Sequence, residues 1–194
     1  MVADKAVLRA AMRERRRSLT DRDVYERSLA AQRHVLASEA WSTATSIGLY
    51  MAVRQETDTS LLLEEAWKAG KDVYLPYVSP VMPGIMELVL CGSGQELVKN
   101  RFGIPEPVSP VCPVSQSDSG CPDYIIVPAL AFDMEGHRLG SGGGYYDRLF
   151  GRKSMQDAIR IGFAYAFQIV GGIPAEAWDA PMHALVTEES FVWL

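Results

Sequence analysis

The segment GHRLGSGGGYYDR, from Gly136 to Arg148, contains the residue types best suited to chemistry in this chain. Five of its thirteen residues are glycines, and two tyrosines and an aspartate follow them. A glycine run is costly to order, so a fold that keeps one usually needs unusual backbone conformations or close approach to a ligand. Backbone N–H groups and the guanidinium of Arg138 are well matched to phosphate oxygens. The segment therefore predicts an anion-binding loop.

Three known phosphate-binding patterns can be compared with this loop. The P-loop requires Gly-Lys-Ser/Thr after its second glycine, and this chain has Gly-Tyr-Tyr there. The dinucleotide fingerprint requires a final glycine where this chain has a tyrosine. A coenzyme-A loop is only partly matched, because His137 replaces the usual glutamine or arginine. None of the three patterns fits fully.

Asp147 follows the tyrosines in what the pattern predicts to be a short helix. A carboxylate in a first helical turn interacts favourably with the helix dipole whatever the function. Beside a phosphate site the same carboxylate is also a suitable Mg²⁺ ligand. Spacing alone leaves these two interpretations open.

Composition narrows the class of protein. Of the 194 residues, 48% are hydrophobic and 22% are charged, which is typical of a soluble globular domain. The longest apolar runs fall short of a membrane span, and the N-terminal residues do not resemble a signal peptide. Three cysteines without Cys-x-x-Cys spacing favour a cytoplasmic location and argue against zinc. A net charge of −5 argues against nucleic acid as a partner, and RERRR at 13–17 is more typical of a solvated helix face.

Hydrophobic periodicity predicts an α/β fold. We expect a single domain over residues 1–194, with a central, mostly parallel sheet, helices on both faces, and ligands at the carboxyl ends of the strands. A loop is predicted over 103–122, and the strand 123–132 is predicted to run directly into the glycine loop. The predicted helices are 3–18, 21–38, 58–71 and the segment YYDRLFGRK; the other predicted strands are 46–52, 72–78, 85–91, 160–166, HALVTEE and SFVWL.

Taken together, DYIIVPALAFDMEGHRLGSGGGYYDRL strongly resembles the signature of 5-formyltetrahydrofolate cyclo-ligases. The resemblance extends in order through KAVLR (5–9), ETDT (56–59), FGIPEP (102–107) and QIVGGIPAEAWDAPMHALVTEE (168–189). It implies an enzyme that uses ATP and Mg²⁺ to convert 5-formyltetrahydrofolate to 5,10-methenyltetrahydrofolate. In that family ATP phosphorylates the formyl oxygen, the N10 amine attacks the activated carbon, and phosphate leaves.

The resemblance also implies roles for individual residues. Arg138, Tyr146 and Asp147 are the implied catalytic residues, and Asp147 and Asp179 the implied Mg²⁺ ligands. The implied ATP-binding residues are Lys5, Arg9, Arg138, Leu139, Gly140, Ser141, Gly142, Gly143, Gly144, Tyr145 and Tyr146. The implied folate-binding residues are Met51, Glu56, Ser141, Gly142, Gly143, Gly144 and Tyr145. The partners are then small molecules, and a monomer is expected.

The first helix adds a feature that can be derived from spacing. Lys5 and Arg9 lie four residues apart on one helix face, which Arg13 and Arg16 extend. Like charges at this spacing repel by a few tenths of a kcal/mol, which a polyanionic neighbour would offset. We hypothesise that part of this face attracts the glutamate tail of the folate, while a solvated face stays open for Arg13, Arg16 and Arg17.

Two other functions remain open at this point. One is a non-catalytic relative that binds folate or nucleotide, and the other is a coenzyme-A-dependent acyltransferase. The second requires an acyl-transfer residue that the sequence does not supply.

Overall fold

A computed structural model describes residues 4–108, 121–176 and 178–194. The helices are α1 (Lys5–Arg17), α2 (Asp21–Leu36), α3 (Glu39–Thr43), α4 (Ser60–Lys68) and α5 (Tyr145–Phe150). The strands are β1 (Ser46–Gly48), β2 (Asp72–Val78), β3 (Met86–Leu90), β4 (Leu97–Lys99), β5 (Pro105–Pro107), β6 (Tyr124–Pro128), β7 (Ala131–Asp133), β8 (Arg138–Leu139), β9 (Ile159–Phe163), β10 (Ile169–Val170), β11 (Ala184–Val186) and β12 (Phe191–Trp193). None of the helices in these ranges is both long and apolar enough to cross a lipid bilayer.

Seven strands form the main sheet, in the order β12-β11-β9-β6-β1-β2-β3. The five central strands pair in parallel, and the two edge strands, β12 and β3, pair antiparallel with their neighbours. The central strands are short apolar runs because a parallel sheet is buried on both faces. The prediction of a mostly parallel α/β sheet is confirmed.

Alternate residues of the strands pack into two separate cores. Val73, Leu75 and Ile126 face one core together with residues of α2 and α4. Tyr74 and Ile125, one residue along their strands, face the other core together with Leu149 and Phe150 of α5. This period of two is what an extended strand imposes on its side chains. Helices therefore cover both faces of the sheet, as predicted.

Several predicted boundaries are wrong: the predicted strand 160–166 ends at Phe163, HALVTEE forms a strand only over Ala184–Val186, and three further differences lie near the glycine loop or the crevice. The first predicted strand ends at Gly48, not at residue 52. The predicted strand 123–132 is two strands, β6 and β7, and β7 leaves the main sheet to lie between β10 and β8. The predicted loop 103–122 contains β5, a proline-flanked edge strand paired only with β4, and its residues 109–120 lie outside the described part.

The glycine loop consequently follows a hairpin rather than the buried strand. β7 and β8 pair antiparallel, with Phe132 opposite Arg138, and the loop begins immediately after Leu139. Leu139 packs with Leu130 and with Met12 of α1 in a third, smaller core. The hairpin thus carries the loop away from the sheet and places it beside α1.

The chain reverses its direction of travel across the sheet at β1. From β1 it proceeds to β2 and β3 on one side, and later to β6 and β9 on the other. Such a point leaves a crevice beyond the carboxyl ends of the two diverging strands, where α/β proteins bind ligands. In this chain the crevice lies at the ends of β1 and β6.

Candidate active site

A cavity of about 820 Å³ opens at this crevice. Its floor includes residues that follow β1 and β6, among them Tyr50 and Ala129, and it also contacts α1 and the glycine loop. All of the sequence-predicted site residues line it: Lys5, Arg9, Met51, Glu56, Arg138, Leu139, Gly140, Ser141, Gly142, Gly143, Gly144, Tyr145, Tyr146, Asp147 and Asp179. Residues up to 174 positions apart in the sequence therefore meet in one place.

The cavity has a net positive formal charge, although the chain as a whole carries −5. Its acidic residues are Glu56, Glu106, Asp147, Glu176 and Asp179. Its cationic residues are Lys5, Arg9, Arg13, Arg16, Arg17, Arg54 and Arg138. Among the described residues that line the cavity, the cationic ones outnumber the acidic ones, and this excess of positive charge favours anions.

Arginines of α1 hold the start of the glycine loop. The Arg9 Nε donates to the carbonyl oxygen of Gly140 at 3.0 Å, and an Arg13 Nη donates to that of Ser141 at 3.2 Å. Two glycines further along adopt positive φ, +106° at Gly142 and +64° at Gly144. Only residues without a Cβ adopt such angles at little cost. Hydrogen bonds from α1 and the positive φ angles of the loop glycines therefore determine the path of the loop.

The side chain of Arg138, just before the glycine loop, contacts two residues just after it, Asp147 and Tyr146. This side chain is only 6% exposed and forms an ion pair with the Asp147 carboxylate at 2.5 Å. The guanidinium also stacks 5.3 Å from the centre of the Tyr146 ring. Its Nε is buried and has no hydrogen-bond partner among the described residues. A buried donor without a partner is uncommon, which fits a group that a ligand completes.

The two tyrosines after the loop differ in their surroundings. The Tyr145 hydroxyl accepts a hydrogen bond from Arg101 at 3.0 Å, and its ring meets Phe102 edge to face. Tyr146 packs against the core and stacks with Phe150. Burial raises the pKa of the Tyr146 hydroxyl, and the Arg138 cation opposes that rise only in part. Tyr146 is thus a neutral hydrogen-bonding group at physiological pH.

Asp179, the second carboxylate of the predicted metal site, also lines the cavity. Its Oδ2 lies 3.6 Å from the Lys5 Nζ and accepts a hydrogen bond from the backbone N–H of Glu176 at 2.9 Å. Among the described residues, three potential metal ligands come together elsewhere, at Asp133, Glu135 and His137. The Asp133 carboxylate in that group already accepts bonds from backbone N–H groups of Glu135, His137 and Ile173. The Asp133 carboxylate therefore stabilises a turn. The predicted metal site stays at Asp147 and Asp179.

The loop after β1 supplies Glu56 through a strained but well-anchored backbone. Arg54 and Gln55 both adopt the left-handed conformation, with φ of 52° and 59°, which is disfavoured for residues with a Cβ. The Tyr50 hydroxyl donates to the Thr57 carbonyl at 2.5 Å, and the Thr59 hydroxyl donates to the Tyr50 carbonyl at 2.6 Å. Strain of this kind persists only where the surroundings hold it in place.

Comparisons with known proteins agree with this geometry. A model of the 5-formyltetrahydrofolate cyclo-ligase family matches residues 1–188. The chain belongs to this family. The 5-formyltetrahydrofolate cyclo-ligase of Escherichia coli (strain K12) is 36% identical over 185 residues, which is 94% of this chain and 98% of that protein. That of Haemophilus influenzae is 32% identical over 178 residues, 90% of this chain and 92% of that protein.

A solved structure is similar over nearly the same extent. The NMR structure of Aquifex aeolicus 5,10-methenyltetrahydrofolate synthetase superposes with a TM-score of 0.80 at 31% identity. The match covers 97% of this chain and 92% of that one. The central sheet and its flanking helices are therefore the fold of this cyclo-ligase family.

Of the three α1 arginines for which a solvated face stayed open, Arg16 does not lie on such a face. Arg16 of this cyclo-ligase family member is 7% exposed, lines the cavity, and lies 3.6 Å from the Glu56 carboxylate. Arg13 and Arg17 are exposed, as a solvated face requires. The difference arises because the loop after β1 packs over only the last part of the helix face, a contact between distant segments.

Sequence reasoning assigned no role to residues 100–106, although FGIPEP contributed to the family resemblance. Asn100, Phe102 and Glu106 line the cavity. The buried Glu106 carboxylate accepts bonds from the Val78 N–H and the Asn100 amide, both at 3.0 Å. Arg54 donates to the Phe102 carbonyl at 3.2 Å. This hairpin closes one side of the cavity, and the FGIPEP match was the signal that could have located it.

Proposed function

We propose that the cavity binds ATP and 5-formyltetrahydrofolate and forms 5,10-methenyltetrahydrofolate, ADP and phosphate. The observation that carries this proposal is the convergence in one positively charged cavity of the glycine loop, the α1 cations and Glu56. Family membership over residues 1–188 supports an enzyme rather than a binding protein that lacks turnover. Both substrates are anionic, in accord with the charge of the cavity.

The chemical difficulty is that a formyl amide is a poor electrophile with a poor leaving oxygen. Transfer of the γ-phosphoryl group to that oxygen improves both properties. The protein's part is then to position the two substrates and to stabilise charge on the phosphoryl oxygens. In this proposal the glycine loop, Lys5, Arg9 and Arg138 hold the phosphates, and the unpartnered Nε of Arg138 gains its acceptor from them.

The folate occupies the adjoining part of the cavity in this proposal. Met51 and Glu56 contact it from the loop after β1, and residues 141–145 border both substrates. Tyr146 remains neutral and is suited to donate a hydrogen bond to a developing oxyanion. The exposed α1 residues Arg13 and Arg17 remain candidates for attracting the glutamate tail.

Asp147 and Asp179 fit a Mg²⁺ site by the chemistry of their donors. Mg²⁺ is typically bound by one or two carboxylates together with substrate phosphates and water. Each carboxylate is paired with a cation, Arg138 or Lys5, that is also placed to bind a phosphate. When bound, the ion supplies charge neutralisation at the transferring phosphoryl group. Mg²⁺ dependence, a cytoplasmic location, a monomeric state and a single domain over residues 1–194 stay predictions.

The test is the rise in methenyltetrahydrofolate absorbance when purified protein meets 5-formyltetrahydrofolate, ATP and Mg²⁺. We expect a signal that requires ATP, a loss of about 10²-fold or more in kcat for Asp147→Asn, and a raised Mg²⁺ requirement for Asp179→Asn. Asp72→Asn, which changes an exposed aspartate at the far end of β2, is the matched control and keeps wild-type activity.

Two results would contradict the proposal. If wild-type protein binds the folate tightly but the methenyltetrahydrofolate absorbance does not rise, the chain is a binding protein without turnover. An Asp147→Asn variant as active as Asp72→Asn would remove Asp147 from the site.

A further inference from the structure

Arg16 differs from the other cations of the α1 face in its burial and in its partner. Arg9 and Arg13 donate to backbone carbonyls, and Arg13 is exposed. The Arg16 side chain is only 8% exposed, and it faces the carboxylate of Glu56, which is 19% exposed. Lys5 on the same face also pairs with a carboxylate, that of Asp179, but the Lys5 side chain is 27% exposed, so Arg16 is the buried cation of this face.

Stability alone is a weak reason for such a pair. Removing two charges from water costs several kcal/mol per ion, and replacing a buried pair by apolar residues is often neutral or stabilising. The pair also lies on the cavity wall, where both residues remain within reach of a ligand. A role in the reaction accounts for its place better than a role in folding does.

The Glu56 carboxylate is held at both oxygens. Oε1 faces Arg16 at 3.6 Å, and Oε2 accepts a hydrogen bond from the backbone N–H of Val53 at 3.1 Å. Burial raises the pKa of Glu56, and Arg16 is the largest of the influences that lower it again. The groups whose charges act on this carboxylate, or that contact its residue, are Arg16 from α1, Arg54 and Tyr50 from the loop after β1, Tyr146 from α5, and Tyr165 after β9.

Ring closure releases a proton that needs an acceptor; this step rests on the proposed function. The N10 lone pair forms a bond to the formyl carbon, and the carbon–oxygen bond to the phosphorylated oxygen breaks, with its electron pair leaving on phosphate. N10 is then part of an N–CH–N cation and no longer carries its hydrogen. An ionised carboxylate beside N10 can take that proton and also stabilises the cationic product.

We propose that Arg16 is a positioning residue that keeps Glu56 ionised and oriented to accept the N10 proton during ring closure. Arg16 itself does not touch the reacting atoms. Its effect reaches the reaction through Glu56, so its loss changes the pH dependence of the reaction and not only its rate.

The experiment compares Arg16→Met, Arg16→Lys and Glu56→Gln by the pH profile of kcat/KM for 5-formyltetrahydrofolate at saturating ATP and Mg²⁺. Removing the Arg16 charge removes the largest of the influences that oppose the effect of burial on the pKa of Glu56, so the acid limb of the profile moves to higher pH. We expect Arg16→Met to move it by about one pH unit, a tenfold loss of kcat/KM on that limb, and Arg16→Lys to restore most of the shift. Glu56→Gln is expected to abolish this limb, and adding Arg16→Met to it changes little further.

The matched control is Arg22→Met, which removes an arginine from an exposed ion pair with Glu26 on α2 and leaves the profile unchanged. Far-UV circular dichroism checks folding, and Arg16→Gln, which also removes the charge, replaces Arg16→Met if that variant does not fold. A uniform drop in kcat/KM with an unmoved acid limb in the uncharged Arg16 variant would overturn the inference while the proposed function stands. A wild-type protein that forms no methenyltetrahydrofolate would overturn the proposed function itself.

Discussion

The glycine loop and the loop after β1 both line the cavity, but they are built in different ways. Residues 141–143 of the glycine loop are exposed, and arginines outside the loop, Arg9, Arg13 and Arg148, bond to its carbonyls. The loop after β1 has internal hydroxyl-to-carbonyl hydrogen bonds, from Tyr50 and Thr59, in addition to bonds with other segments. It contributes a single carboxylate, that of Glu56.

This difference matches what each loop is proposed to bind. A bare backbone offers several N–H groups at close range, which suits a phosphate chain whose oxygens are spread over many directions. A single carboxylate acts on one atom, so its position has to be fixed tightly. Side chains around the glycine loop hold its backbone, whereas the loop after β1 also has hydrogen bonds within itself that fix the position of its carboxylate.

The largest expected effect contrasts Arg138 and Arg148, which lie on either side of the glycine loop in the sequence. Arg138 is buried in the cavity, whereas Arg148 is exposed and bonds to the carbonyls of Gly84 and Gly143. We expect Arg138→Met to lower kcat/KM for ATP by about 10²–10³-fold, because a fixed charge at the phosphates is lost. Arg148→Met is expected to lower it by less than about tenfold, since only a tether of the loop is lost. Steady-state kinetics measure both, and equal losses would show that Arg138 is also merely a tether.

A smaller effect is expected from the backbone of the glycine loop. At Gly142 a Cβ would meet no atom within 4 Å, so an effect of Gly142→Ala has to come from its φ of +106°. Forcing alanine into such a conformation costs about 1–2 kcal/mol, which corresponds to roughly a tenfold loss in kcat/KM for ATP. Gly172→Ala is the control, because Gly172 has the same open space without positive φ. Wild-type kinetics in the Gly142 variant would mean that the loop does not need this conformation.

The smallest effect concerns the interior of the loop after β1 and is read from stability. Thr59→Val removes the partner of the Tyr50 carbonyl and is expected to lower the free energy of unfolding by about 1–2 kcal/mol. Thr57 is also buried, but its hydroxyl has no partner among the described residues. Thr57→Val is therefore expected to be neutral or to stabilise by up to about 1 kcal/mol. Urea denaturation of both variants checks this, and similar losses in the two would argue against internal hydrogen bonding as the anchor.

The sequence by itself determined the local features of this protein. Short apolar runs that alternate with helical patterns predicted a mostly parallel sheet with helices on both faces. The helical repeat placed Lys5, Arg9, Arg13 and Arg16 on one face of α1. The glycine segment and the ordered set of family motifs predicted the loop, its neighbours and the reaction. All of these depend on residue type and on spacing within a few turns or strands.

Tertiary structure alone decided which groups meet across the chain. Arg9 and Gly140 are separated by 131 positions, and their contact depends on the β7–β8 hairpin. The sequence pattern instead predicted β6 and β7 as one continuous strand that runs directly into the glycine loop. The same holds for Arg16, whose spacing matches that of its exposed neighbours and whose burial depends on the loop after β1. Periodicity specifies which side of an element a residue occupies, whereas pairing and burial depend on the path of the chain between elements.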